Sequence, residues 1–381
     1  MRQIKLLYPS RLILGAGAIR EFPDDIAGKK VKRIFILTFP EIRPVIEPFL
    51  EDLDQKGYII SLDDSIRSEP AIADFERVLS VSKEFGPDLV LGIGGGSVLD
   101  VAKLVAAQLD NQQSLEEIFG INLLSKRNTL LACVPTTSGT GSEVSPNAIL
   151  LDEGEMLKKG IISPFLVPDF CYVDPELTLS VPPAVTAATG IDAFTHCLEA
   201  YVNKRSHPVI DTYALEGMRL ITGSLYAAVR DGRDLEARNN LSMGSLYGGM
   251  CLGPVNTTAI HALSYPLGSK FHIAHGLSNA LLLPYVMEFN LPVAIERYAR
   301  VAGLLGVEEE GSQESRATAG IAAIKKLMAS CGIPASLSEI GIKQDAIPGM
   351  AESALKVQRL LVNNPREVTF EDAVSIYEKA F

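Results

Sequence analysis

Asp88-Leu-Val-Leu-Gly-Ile-Gly-Gly-Gly-Ser-Val-Leu-Asp100 joins an apolar run to three glycines and then to the start of a helical pattern. Residues 88–93 have the continuous apolar character of a strand buried on both faces, which is the mark of a parallel sheet. Gly94, Gly95 and Gly96 let a backbone pass close to a phosphate, and the first N–H groups of the following helix would point at it. Ser97 can cap that helix or donate to a phosphate oxygen. Asp100 falls in the first turn, where a carboxylate is favourable; it can also accept from a ribose or a neighbouring loop. The alternative is a tight strand–helix turn that needs glycine, and the G-x-G-x-x-G dinucleotide fingerprint is absent.

The same alternation extends on both sides. Strands are expected at 33–38, 58–62 and 129–134, and helices at 41–55, 72–85 and 97–108. Further strands are expected at 147–152 and 170–174. Buried strands separated by helices predict a doubly wound α/β sheet of the dinucleotide-binding type. After Asp174-Pro175 the pattern turns helical, with segments near 183–203, 207–230, 234–252, 258–269, 276–289, 293–304, 313–331 and 346–357. The expected division is therefore an α/β dinucleotide-binding domain at 1–180 and an all-helical metal-binding and substrate domain at 181–381. The acidic run at 308–312 reads as a solvated loop.

Two more stretches carry chemistry. Pro135-Thr-Thr-Ser-Gly-Thr-Gly-Ser-Glu143 places five hydroxyls and two glycines in eight positions after a parallel strand. That is the edge where open α/β sheets bind ligands; the alternative is a Ser/Thr-rich surface turn. Ala188-Thr-Gly-Ile-Asp-Ala-Phe-Thr-His-Cys-Leu-Glu199 sets Asp192 and His196 on one face of a largely apolar helix. A buried Asp and His need partners, either each other or a metal. Three of the five histidines, His261, His272 and His275, crowd into 261–275, while His207 precedes Pro208 at a helix start and reads as structural. Asp192, His196, His261 and His275 would make a thiolate-free N/O set suited to Fe(II), Zn(II), Mn(II) or Ni(II). Lys158-Lys159 reads by itself as a solvated basic pair.

Composition narrows the partners. The 381 residues are 47 % hydrophobic and 21 % charged, with a net charge of −11. The acidic balance disfavours nucleic acid and anionic membranes. No apolar run approaches the ~18 residues of a membrane span. The five cysteines are odd in number and lack C-x-x-C, which suits a reducing, cytoplasmic setting.

Gly94-Gly95-Gly96-Ser97-x-x-Asp100, Pro135-Thr136-Thr137-x-Gly139-Thr140-x-x-Glu143-Val144, Ala188-Thr189-Gly190-x-Asp192-Ala193-x-x-His196 and His261-Ala262…His275-Gly276 together resemble the iron-containing (group III) alcohol dehydrogenases. The resemblance spans essentially the whole chain and implies a dehydroquinate synthase-like architecture. It also implies one divalent metal, Fe2+ first and Zn2+ second, held by Asp192, His196, His261 and His275. It implies NAD or NADP bound by Gly94, Gly95, Gly96, Ser97 and Asp100, by Thr136, Thr137 and Thr140, and by Asn147 and Lys159, with Leu177 beside the nicotinamide. Metal-assisted hydride transfer to or from a small alcohol or aldehyde follows, with a homodimer as the expected assembly.

Two departures matter. Many members carry a histidine four residues after the third ligand; here Tyr265 stands there, so Tyr265 and His272 become the candidates for the proton path. Thr38-Phe39-Pro40 offers no carboxylate at the end of the first strand, which points to dual NAD and NADP use. Maleylacetate-reductase-like and glycerol-dehydrogenase-like activities are the alternatives, and a non-enzymatic metal- or nucleotide-binding protein is the reading from another class. Members with phosphorylated substrates should show a basic cluster near the metal, and around 250–279 only Lys270 occurs, which argues against them.

Overall fold

The computed structural model describes residues 2–308 and 310–381, so Glu309 of the acidic 308–312 run lies outside the described residues. The chain divides into two compact units. One comprises Leu6–Thr137 and Gly141–Ser180; the other comprises Val181–Phe381 with Ser138–Thr140 and the chain start through Lys5.

The first unit is built on nine strands: β1 (Arg11–Leu14), β2 (Arg33–Leu37), β3 (Ile59–Asp63), β4 (Leu89–Gly94), β5 (Gly120–Ile121), β6 (Leu130–Pro135), β7 (Asn147–Asp152), β8 (Leu157–Ile162) and β9 (Phe170–Val173). Its helices are α1 (Phe22–Ala27), α2 (Arg43–Gln55), α3 (Ile72–Phe85), α4 (Gly96–Gln108) and α5 (Leu115–Ile118). Six strands form one sheet in the order β1-β9-β6-β4-β2-β3, and every pairing in it is parallel. Alternation along β2 explains the apolar run: Phe35 and Leu37 enter the core shared with α3 and α4, while Ile34 and Ile36 enter the core shared with α1 and α2. Both faces are thus covered, as a parallel sheet requires.

A second, three-stranded sheet in the order β5-β8-β7 was not expected from sequence. Lys158 and Lys159, read as a solvated pair beyond a strand, lie within β8, which pairs antiparallel with β7. Short β1 also escaped notice because its four residues are partly exposed.

The second unit is helical: α6 (Pro183–Val202), α7 (Pro208–Arg230), α8 (Leu235–Val255), α9 (Ala259–Phe271), α10 (His275–Leu304), α11 (Gln313–Ser330), α12 (Ile347–Leu355), α13 (Gln358–Leu361) and α14 (Phe370–Ala380). Helix α6 packs on α7, α8 and α10, and α9 packs on α10, α12 and α13. The two helices expected at 276–289 and 293–304 follow one another within α10, separated by a kink. The kink lies just after Pro292, where Ala294 has non-helical angles (φ −133°, ψ 21°), and α10 packs on both α6 and α11. The unpredicted α14 begins with a capping box, in which Thr369 and Asp372 satisfy each other's backbone N–H groups.

Candidate metal centre and dinucleotide loop

Helix α6 is apolar almost all round, so Asp192 and His196 are carried into the interior of the helical unit. His261 comes from the first turn of α9, and His275 is the first residue of α10. The start of α10 can approach α6 because of Gly276: a Cβ there would fall 2.6 Å from the Ala188 carbonyl oxygen. The four residues present one ligating atom each, all within 4.8 Å of one another. The His196 and His261 rings stack at 4.5 Å, and the His261 and His275 rings lie 5.2 Å apart.

The surrounding hydrogen bonds test whether a cation fits. Asn279, one turn after His275, brings its amide nitrogen to 2.6 Å from Asp192 Oδ1, 3.1 Å from His261 Nε2 and 3.2 Å from His275 Nε2. Three electron-pair donors thus converge on a nitrogen with two hydrogens to give. Asn279 Oδ1 is itself buried with no hydrogen-bond partner among the described residues. Convergent lone pairs of one carboxylate and three imidazoles, with no thiolate, are what a divalent cation of intermediate hardness requires.

The outer groups orient the imidazoles. Glu199 lies two turns beyond Asp192 on the same face of α6 and is buried. Its Oε2 stands 2.5 Å from His261 Nδ1, while Oε1 accepts from Thr258 Oγ1 (2.7 Å) and Ile260 N (2.7 Å) at the start of α9. With Nδ1–H donating to Glu199, Nε2 of His261 is left as the ligating atom. His196 Nδ1 lies 3.2 Å from the Gly139 carbonyl, which selects Nε2 there in the same way.

Electrostatics follow this arrangement. Burial disfavours the Asp192 charge, yet His196, His275 and His261 hold its carboxyl well below the usual carboxylate range. Burial also opposes charge on His261, but Glu199 and Asp192 outweigh it and push its pKa up to about 10. His196 is pulled down by burial. A proton on His261 and a cation at its Nε2 are alternative ways of satisfying the two flanking carboxylates.

Tyr265 sits one turn after His261 on α9. It is buried, its ring lies 6.2 Å from that of His275, and its hydroxyl accepts from Arg359 Nη2 at 3.0 Å. His272 makes no side-chain hydrogen bond or ring contact with the four candidate ligands among the described residues. It is the C-cap of α9 in the left-handed conformation (φ 56°), with an exposed side chain that makes no hydrogen bond among the described residues. His207 caps the start of α7, its Nδ1 accepting from Val209 N, as expected.

In the sheet unit, Gly94 ends β4 where a Cβ would meet Val98 at 2.6 Å, so the turn into α4 demands glycine. The N-cap is Gly95, not Ser97, and no side chain caps the helix. The Ser97 hydroxyl has no hydrogen-bond partner among the described residues. Thr136 Oγ1 and Asn147 Oδ1 are likewise buried without partners. An uncapped helix N-terminus and the Thr136 hydroxyl, which can donate, fit an oxygen-rich anionic ligand, whereas the Asn147 amide oxygen can only accept from a ligand N–H or O–H. Thr137 Oγ1 faces Gly95, 3.4 Å from where its Cβ would be.

Other expected cofactor residues have local duties. Asp100 accepts from Ser142 Oγ and from Ile149 N, tying α4 to the hydroxyl loop and β7. Buried Lys103 reinforces that tie by donating to the Ser145 and Asn147 carbonyls. Lys159 pairs with Asp152 (2.7 Å) and Glu155 (2.9 Å). Leu177 lies in the core beneath the sheet with Ile34 and Ile36. Thr140 belongs with the helical unit, next to the Gly139 carbonyl that faces His196.

Glu199, Asn279 and Arg359 were missed in the sequence. Glu199 and Asn279 carried a signal, since each shares a helix face with a ligand candidate; Arg359 carried none.

Residues 9–175 match the iron-containing alcohol dehydrogenase family, and residues 186–381 match the C-terminal part of the Fe-containing alcohol dehydrogenase family. The chain is 35 % identical to long-chain-alcohol dehydrogenase 1 of Geobacillus thermodenitrificans, covering 100 % of this chain and 98 % of that protein. It is 33 % identical to sulfoacetaldehyde reductase of Bilophila wadsworthia, with 97 % of each covered. The crystal structure of 1,3-propanediol oxidoreductase superimposes with a TM-score of 0.96 at 32 % identity, covering 100 % of both chains. This chain therefore belongs to the iron-containing alcohol dehydrogenase family.

Proposed function

We propose that the protein is a metal-dependent, NAD(P)-linked alcohol dehydrogenase and aldehyde reductase. The single observation that carries this is the convergence of Asp192, His196, His261 and His275 in a chain of this family. The helical unit is the metal and substrate domain, and the sheet unit is the dinucleotide domain. When bound, the metal supplies Lewis-acid polarisation of an alcohol or carbonyl oxygen, and the nicotinamide supplies or accepts hydride.

The chain's own residues do the rest. Glu199 and the Gly139 carbonyl fix the His261 and His196 tautomers, so the ligating nitrogens are set before binding. Gly95, Gly96 and Ser97 present the α4 N-terminus to the pyrophosphate, the Thr136 hydroxyl donates to the dinucleotide, and the Asn147 amide oxygen accepts from one of its donor groups. Tyr265 holds the position beside His275 from which a phenol can pass a proton; His272 takes no part. Use of both NAD and NADP is supported at the end of β2. Thr38 is buried without a carboxylate, and neighbouring Asp63 is engaged by Ser65 N (3.0 Å) and Arg77 (3.1 Å).

Fe2+ is the proposed native metal, with Zn2+ second, and the proposed form is a homodimer in a reducing cytoplasm. Five free, buried cysteines support that compartment. Among the described residues, no helix is long and apolar enough to cross a membrane. The test is oxidation of NADH and NADPH with a panel of small aldehydes on protein reconstituted with Fe2+, Zn2+ or no metal. Metal-dependent turnover is expected; no turnover with any metal would refute the reading.

A further inference from the structure

The helical unit delivers a cation to the candidate metal centre from a part of the chain where local sequence gives no hint of it. Around 250–279 the only basic residue is Lys270, and its ammonium is committed to the Gly349 carbonyl at 2.7 Å. Arg359, on the one-turn helix α13, instead reaches the site. Its Nη2 donates to the Tyr265 hydroxyl at 3.0 Å, and its guanidinium carbon stands 5.7 Å from the centre of the Tyr265 ring. That ring is the immediate neighbour of His275, and Tyr265 is one helical turn from His261. The guanidinium is therefore one aromatic ring removed from two of the four candidate ligands.

Arg359 is partly buried, and among the described residues it forms no ion pair. Other arginines of this unit have fuller sets of partners: buried Arg238 donates to the Gly232 and Val181 carbonyls and to the Thr186 hydroxyl. Arg297 is matched by both oxygens of Asp211, and Arg219 by Glu216. A half-buried guanidinium with one of its five N–H donors on a neutral phenol and no carboxylate beside it has donors left for another acceptor. It presents a planar fork that suits a carboxylate, sulfonate or phosphate.

We propose that Arg359 determines substrate specificity by binding an oxyanion at the far end of a short aldehyde or alcohol whose reacting carbon lies at the metal centre. Tyr265 holds the guanidinium in place. The proposal rests on the reductase reading above and names its substrate class: short aldehydes bearing an anionic group, and the corresponding alcohols. It also revises the sequence argument against such substrates, because the missing positive charge comes from α13.

The experiment measures kcat and KM with the metal-reconstituted enzyme for matched pairs of aldehydes. The pairs are succinic semialdehyde against butanal, sulfoacetaldehyde against propanal, and glyceraldehyde phosphate against glyceraldehyde; they separate carboxylate, sulfonate and phosphate. A charge-assisted bond of this kind corresponds to about a tenfold to hundredfold preference for one anionic partner, expressed mainly in KM. Arg359→Met should collapse that anionic-to-neutral ratio towards one, and Arg359→Lys should keep part of it. Arg359→Gln, which can still donate to the Tyr265 phenol, should lose the ratio as Met does. The proposal is overturned if the wild type prefers none of the anions. It is equally overturned if Arg359→Met lowers both members of a pair alike, since Arg359 is then only a brace for Tyr265. Reduction of the neutral aldehydes without an anion preference defeats this inference alone, whereas no reduction of any aldehyde defeats the reductase reading with it.

Discussion

Glu199 Oε2 and His261 Nδ1 meet at 2.5 Å in the interior of the helical unit, while the other Glu199 oxygen binds the first turn of α9. One carboxylate therefore sets both the tautomer of a candidate ligand and the position of the helix that carries it. Replacing Glu199 with Gln should weaken metal binding about 10- to 100-fold. Competition with a chromophoric chelator measures this directly, with circular dichroism to confirm the fold. Unchanged affinity would show that Glu199 serves only as a helix cap.

The four convergent donors should act as a unit. His261→Ala and His275→Ala are each expected to abolish stoichiometric metal and aldehyde reduction together, read by elemental analysis and NADH oxidation. Full metal content in either variant contradicts the four-ligand assignment. Added metal should raise the melting temperature of the wild type and leave both variants unmoved, because a ligand stabilises only the state that binds it.

Gly276 governs how closely α10 approaches α6. A Cβ at this position would meet the Ala188 carbonyl at 2.6 Å, and backbone cannot yield as a flexible side chain does. Gly276→Ala should cost about 1–3 kcal/mol of stability, as overpacking does. Because the shift displaces His275, metal affinity should fall with it. Thermal melts and chelator titration of the same sample test the coupling.

Glu143 offers a pH test in the sheet unit. It is buried, and burial raises its pKa to about 7. A carboxyl whose folded pKa exceeds its unfolded value contributes stability at low pH, and that contribution is lost as pH rises through the folded pKa. Relative to Glu143→Gln, the wild type should lose about 2–3 kcal/mol between about pH 5 and about pH 8. Urea unfolding of both proteins at the two pH values measures the difference; parallel curves would mean that Glu143 is charged in the fold throughout.

Tyr265→Phe removes the hydroxyl that receives the Arg359 bond. If the phenol lies in the proton path, the pH–rate profile of kcat should change shape. A profile identical to the wild type's takes Tyr265 out of that path.

Much of this was legible along the chain because it is local. Apolar runs at 33–38, 88–93 and 129–134 can be satisfied only inside a doubly covered parallel sheet, and Gly94 allows the close strand–helix turn. Asp192 and His196 share a helix face by simple periodicity, and the family motifs extend that pair to His261 and His275. Spacing says nothing about which groups a side chain meets from elsewhere in the chain. Only tertiary packing tied Asp100 to Ser142, gave Lys159 to Asp152 and Glu155, and buried Leu177 in the core. Packing also left His272 outside as a helix cap and set Arg359 against Tyr265 across a separation of 94 residues. The two kinds of architecture and the Asp192–His196 pair are readable along the chain because they depend on neighbours a few residues apart, whereas His261 and His275 join that pair through the family motifs. Which charges are paired depends on groups brought together from distant parts of the chain, as with Arg297 and Asp211, and this emerges only on folding.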